Sequence, residues 1–100
     1  RDLVAHTRRA EILVVGAGRP SLVTREMVAR NVVLVDVGIN RVADASVPRG
    51  FRIQGDIAAN AREVAFAWTP VPGGIGPMTV ATLMENTILA AEAQLEGRVV

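Results

Sequence analysis

Two short aliphatic runs, Ile12-Leu13-Val14-Val15 and Val32-Val33-Leu34-Val35, constrain this chain more than any other feature. Neither alternates with polar residues, so neither reads as a strand with one face in water. Each is too short to be a self-contained helix, and each stops at turn-forming residues. Gly16-Ala17-Gly18-Arg19-Pro20 follows the first run and Asp36-Val37-Gly38 the second. Strands apolar on both faces belong to parallel sheets covered by helices. Composition agrees. Half of the 100 residues are hydrophobic, yet only Phe51, Phe66 and Trp68 are aromatic. The core is therefore aliphatic, and no aromatic platform exists for stacking single-stranded nucleic acid.

Further elements complete an α/β pattern with a partial Rossmann-like, mostly parallel sheet and flanking helices. Leu3 to Arg9 reads as a short helix with nothing to start it before Arg1. Thr24 is a candidate N-cap for a brief helix through Met27 and Val28. The stretch from Val37 to Gly50 reads as loop and irregular chain. Phe51-Arg52-Ile53 is a weaker strand, Ala58 to Val64 a helical turn, and Ala65 to Thr69 a fourth short strand. Val80, Leu83, Met84, Thr87, Ile88, Ala91 and Leu95 recur at steps of three and four. That spacing predicts a long C-terminal helix over residues 77–96 with one apolar stripe, which needs a partner surface.

Eleven basic and ten acidic groups nearly cancel. Every basic one is an arginine, and only Arg8-Arg9 are adjacent, so no basic stripe supports nucleic-acid binding. The absence of cysteine excludes disulfides and a thiol nucleophile. No apolar run approaches a membrane span, and the N-terminus lacks a signal-peptide core.

In such sheets, ligands bind beyond the carboxyl ends of the strands. Three loops fall there, after Val15, Asp36 and Thr69. The last is unusual: Thr69-Pro70-Val71-Pro72-Gly73-Gly74-Ile75-Gly76-Pro77-Met78-Thr79 carries three prolines and three glycines. Proline fixes φ and glycine frees it, so this mixture specifies one irregular path suited to holding a ligand against the backbone. Gly16-Ala17-Gly18 hints at a dinucleotide fingerprint, but the third glycine is replaced by Ser21 and Pro20 intervenes. A tight turn is the stronger reading there. Asp36 and Asp56 are candidates for an acid–base pair, though each more simply anchors a turn through backbone N–H groups. His6 lies on a charged segment without relay partners. Thr79 begins the long helix, either as a plain start or as an anion contact.

Three blocks together resemble the bifunctional methylenetetrahydrofolate dehydrogenase/methenyltetrahydrofolate cyclohydrolase family. They are Ala10 to Pro20, Val35-Asp36-Val37-Gly38-Ile39-Asn40-Arg41, and Pro70 to Thr79, with Gly55-Asp56 between the last two and Glu85-Asn86-Thr87 in the final helix. The resemblance runs from about Leu3 to Ala93, and Ile75 (for the usual valine), Ile57 and Asn31 (where glycine often stands) depart conservatively from its pattern. It implies that residues 1–76 are the later part of an NAD(P)-binding domain. The helix over 77–96 would return to an N-terminal catalytic domain that is absent here and carries the family's catalytic lysine, with its tyrosine partner also upstream. The cofactor implied is NADP, with NAD also possible. Gly38, Ile39 and Thr79 would contact it, Ile39 through its backbone. Pro72, Gly73, Gly74, Gly76, Pro77 and Met78 would line the folate side of the cleft. No catalytic residue and no metal site is expected in the chain, which by itself would be inactive. The resemblance further implies a homodimer, a cytoplasmic setting, and no nucleic-acid or membrane partner. Two rivals remain: a non-catalytic nucleotide-binding or interaction module, and a different enzyme using Asp36 and Asp56.

Overall fold

In the computed structural model, which describes residues 2–97, the two aliphatic runs become neighbouring parallel strands. Helix α1 covers Leu3–Arg9 and leads into β1, Ile12–Val15. A 3-10 turn at Arg25–Met27 precedes β2, Val33–Asp36. Strands β3, Asn40–Ala43, and β4, Phe51–Gln54, come next. They are followed by α2, Ala59–Arg62, β5, Ala67–Trp68, and α3, Ile75–Leu95. β2 lies between β1 and β5, parallel to both, with Ile12 opposite Val33 and Val33 opposite Ala67.

Alternation along the central strand explains where the core sits. Leu34 and the preceding Val32 point inward and are 1% exposed. Val15, Val23, Val28, Ile57 and Ala61 close around them. The opposite face is less covered than the sequence predicts: Ile12 and Val14 of β1 are 65% and 62% exposed. Burial on both faces is thus approached only at β2.

Four local expectations are corrected. The residues after Val37 are not wholly irregular, because β3 pairs antiparallel with β4, Asn40 facing Gln54 and Ala43 facing Phe51. The predicted strand at Phe51 therefore belongs to a separate two-stranded sheet. Its connection is long and lacks the Asn-Gly or Asp-Gly signal of a tight hairpin. The hairpin is held instead by the Asp44 N–H to Gly50 carbonyl bond of 2.9 Å and by the Arg41 guanidinium, 4.1 Å from the Phe51 ring centre. α1 does have a start signal: Asp2 Oδ1 accepts from the Ala5 N–H at 3.2 Å. Thr24 does occupy the N-cap of the 3-10 turn, without a side-chain capping bond to it.

The fourth correction concerns α3, which begins two residues before the predicted start, with Gly74 as N-cap and Pro77 inside the first turn. Proline is tolerated there because first-turn N–H groups lack helical acceptors. Gly97, at φ 74°, ends it. The expectation of one apolar stripe is also corrected, since Met78 and Leu89 lie on the opposite face, and the apolar side chains of the helix find no cover among the described residues. Leu83 and Met84 are each 64% exposed, and only Ala93 of the helix is buried. The radius of gyration is 17.3 Å, against about 13 Å for a compact body of this length, because α3 stands away from the sheet.

Candidate functional site

Two buried carboxylates organise the strand ends. Asp36 closes β2 at 3% exposure, and Asp56 follows β4 at 0%. Asp36 Oδ1 accepts from the N–H groups of Gly38 and Asp56, both at 3.0 Å, and its Oδ2 accepts from Ile57 at 3.1 Å. Asp56 Oδ2 accepts from Ala17 at 2.6 Å and Gly18 at 2.8 Å, while its Oδ1 accepts from Asn40 Nδ2 at 2.7 Å. Each acid leans over the other's glycine. A Cβ on Gly38 would overlap the Asp56 carboxylate, and one on Gly55 would overlap that of Asp36. Burial alone would raise the Asp56 carboxyl. The hydrogen bonds from Asn40, Gly18, Ala17 and Arg19 outweigh it and hold the group below the usual carboxylate range.

Neither carboxylate is therefore presented to a ligand. The turn-anchoring reading accounts for both, and a catalytic pair finds no support in this geometry. The same bonds remove the phosphate-cradle reading of Gly16-Ala17-Gly18, since the Ala17 and Gly18 N–H groups already serve Asp56. Ser21 keeps the backbone that the missing glycine would have supplied, with φ 54°. Gly38 is needed for Asp56 to approach, which is a packing reason distinct from contact with a cofactor.

The proline-glycine ribbon is tied to the crest of β2. Thr69 N–H donates to the Leu34 carbonyl at 3.1 Å, and Thr69 Oγ accepts from the Asp36 N–H at 2.9 Å. The Val71–Pro72 peptide is cis and Gly73 takes φ 101°. Gly74 folds back on Pro70 so closely that a Cβ would meet the Pro70 carbonyl oxygen. A cleft of about 340 Å³ results, with Asp36 to Ile39 on one side and Pro70 to Pro77 on the other.

This cleft unites Gly38 and Ile39 with Pro72, Gly73, Gly74, Gly76 and Pro77. Met78 and Thr79 lie outside it, along α3 beside Thr82, Leu83 and Asn86. Thr79 is a full turn into the helix, so its N–H belongs to the helical ladder and only its hydroxyl is free to meet a ligand. Ile39 is 65% exposed. Apart from Asp36, whose carboxylate is taken up by backbone N–H groups, the cleft walls are proline rings, aliphatic side chains and glycine backbone, with no arginine or histidine among them. Such walls fit the face of a flat ring and offer no cationic side chain to a pyrophosphate. Sequence reasoning missed Thr69 as the latch and Asn40 as a tether. Asn40 immediately after the Gly38-Ile39 pair was the available signal, whereas nothing marked Thr69.

Residues 1–95 match the model of the tetrahydrofolate dehydrogenase/cyclohydrolase NAD(P)-binding domain. The chain belongs to this family. It is 53% identical over 91 residues to the bifunctional protein FolD 1 of Myxococcus xanthus, covering 90% of this chain and 31% of that protein. A mitochondrial bifunctional methylenetetrahydrofolate dehydrogenase/cyclohydrolase of Drosophila melanogaster is 48% identical, covering 98% of this chain and 32% of its own length. The crystal structure of the Trypanosoma brucei FolD enzyme, complexed with NADP cofactor and inhibitor, matches with a TM-score of 0.83 and 39% identity. That match covers 94% of this chain and 32% of that one. The Thermoplasma acidophilum enzyme gives 0.82 and 41%, over 96% of this chain and 33% of its own. The chain thus spans about a third of the length of the relatives it matches. The relation to FolD enzymes agrees with the resemblance carried by the three sequence blocks. Among the described residues, no helix is long and apolar enough to cross a membrane, and no cluster of His, Cys, Asp or Glu is arranged to hold a metal ion.

Proposed function

We propose that this chain is the later part of the nucleotide-binding domain of a FolD-type enzyme and supplies one wall of its active cleft. The intact enzyme would oxidise 5,10-methylenetetrahydrofolate to the 5,10-methenyl form with NADP and hydrolyse that to 10-formyltetrahydrofolate. The observation that carries this reading is the cleft joining Gly38 and Ile39 to the ribbon from Pro70 to Pro77. When bound, the nicotinamide nucleotide supplies the hydride acceptor.

This chain's own part is placement. The Ile39 backbone and side chain, with Gly38 and the Thr79 hydroxyl, meet the nicotinamide nucleotide, while Pro72, Gly73, Gly74, Gly76 and Pro77 face the folate, with Met78 at its margin. A stiff ribbon fixed to the crest of β2 holds the two reactants at one distance and angle, which lowers the entropic part of the barrier. Proton and water chemistry falls outside the chain, which contains no lysine and no tyrosine. The exposed faces of β1 and α3 agree with this, since both present aliphatic side chains for other parts of the protein to cover. A homodimer and a cytoplasmic setting belong to the same proposal, to be checked by sedimentation and cell fractionation.

The test is formation of NADPH from NADP and 5,10-methylenetetrahydrofolate. Full-length protein forms it and the purified 100-residue chain does not. Turnover by the chain alone would refute the division of labour, and none by the full-length protein would refute the function. The alternative, a module that only binds nucleotide, predicts NADP binding by the full-length protein without turnover.

A further inference from the structure

We propose that Asp56 is a positioning residue for nicotinamide-nucleotide binding, acting through Gly38 and Asn40 to fix the Ile39 backbone at the cleft. The inference rests on the reading of Ile39 as the cofactor contact. Ile39 has little packing of its own, at 65% exposure. Its position is therefore set by the residues on either side. Gly38, before it, is closed in by the Asp56 carboxylate where a Cβ would otherwise sit, and its N–H is held by Asp36 at 3.0 Å. Asn40, after it, donates to Asp56 Oδ1 at 2.7 Å and to the Gln54 carbonyl at 3.0 Å.

The other end of the tie is firm. Asp56 Oδ2 takes the Ala17 and Gly18 N–H groups at the crest of β1, and the Asp56 N–H is itself held by Asp36. One buried carboxylate thus links the β1 crest to both neighbours of Ile39. Charge-assisted bonds in a water-poor setting are short and directional, so they transmit position well. The ribbon side of the cleft is anchored without Asp56, through Thr69 on the Leu34 carbonyl and the Asp36 backbone N–H. Loosening Asp56 should shift the nicotinamide wall and leave the folate wall in place.

The test uses the full-length protein with Asn40→Ala and Asp56→Asn, and Asp44→Asn in the hairpin turn as control. Asn40→Ala leaves the Ala17 and Gly18 bonds to Asp56 intact, so it is the variant expected to fold without difficulty. Its dissociation constant for NADP, read by calorimetry, should rise about tenfold, while KM for the folate stays within about twofold. Asp56→Asn should shift the same constant further in the same direction, and Asp44→Asn should not move it. An unchanged NADP affinity in Asn40→Ala overturns the proposal, as does an equal rise in folate KM, which would mark a general structural loss. If Asp56→Asn does not fold, Asn40→Ala decides alone. Wild-type protein that binds NADP but does not oxidise the folate would refute the function and leave the positioning claim readable by calorimetry. Wild-type protein that binds no NADP refutes both.

Discussion

The Asp36 N–H donates to the Thr69 hydroxyl at 2.9 Å, so the end of the central strand and the start of the proline-glycine ribbon are joined by one side chain. That bond brings two loops far apart in sequence to one cleft. Thr69→Val keeps the shape and removes the acceptor, leaving the Asp36 N–H without its partner. The loss should cost about 1–3 kcal/mol in urea unfolding, and Thr69→Ser should recover most of it. Equal stability of the Val and Ser variants would mean that the hydroxyl is not the latch.

Glycine matters at Gly38 for a different reason from Gly16. A Cβ at Gly38 would overlap the Asp56 carboxylate, whereas one at Gly16 would meet Val37 Cβ at an ordinary 3.6 Å. Gly38→Ala should therefore destabilise by about 1–3 kcal/mol through overpacking beside a buried charge. Gly16→Ala should stay within about 0.5 kcal/mol of wild type, as most substitutions away from such features do. Thermal denaturation of the two variants side by side separates these outcomes.

The Asp56 carboxyl is held below its ordinary value when folded, so the unfolded chain binds its proton more readily. Its contribution to stability is full above the unfolded value, near pH 4, and is lost as pH falls through the lower folded value. Melting temperature should fall steeply on acidification below about pH 4, and Asp56→Asn should flatten that part of the curve. A variant curve parallel to wild type would place the acid sensitivity elsewhere.

Beyond its neighbours along the chain and its own helix, nothing lies within 4 Å of where a Cβ on Gly76 would sit, so no tertiary contact requires a glycine there. Inside α3 an alanine would gain helix propensity, but Pro77 follows and its ring crowds a preceding Cβ in helical conformation, so Gly76→Ala should stay within about 1 kcal/mol of wild type. In the full-length protein the same change should raise folate KM several-fold if this residue faces the substrate. Unchanged folate kinetics would remove Gly76 from the proposed wall.

Much of this was legible in the sequence because it rests on short-range signals. The aliphatic runs marked β1 and β2, spacing at three and four marked α3, and the prolines and glycines marked the ribbon. Asn31 illustrates a departure that local physics absorbs: it takes φ 65°, a left-handed value that asparagine tolerates better than most residues, where the resemblance leads to an expectation of glycine. What escaped were relationships between distant positions. The β3–β4 pairing closes over a long turn without a hairpin dipeptide, and the exchange between Gly38–Asp56 and Gly55–Asp36 spans about twenty residues. Periodicity carries no information about which glycine makes room for which carboxylate. The helix start moved for a local reason, since Gly74 rather than Gly76 or Pro77 provides the unwound residue that opens α3.

The most direct test of the account is a crystal structure of the full-length protein with NADP and a folate analogue bound together. The nicotinamide ring should lie within about 4 Å of Ile39, with the pterin against the ribbon between Pro72 and Pro77. A nicotinamide ring remote from the end of β2, or a pterin bound away from that ribbon, would contradict it.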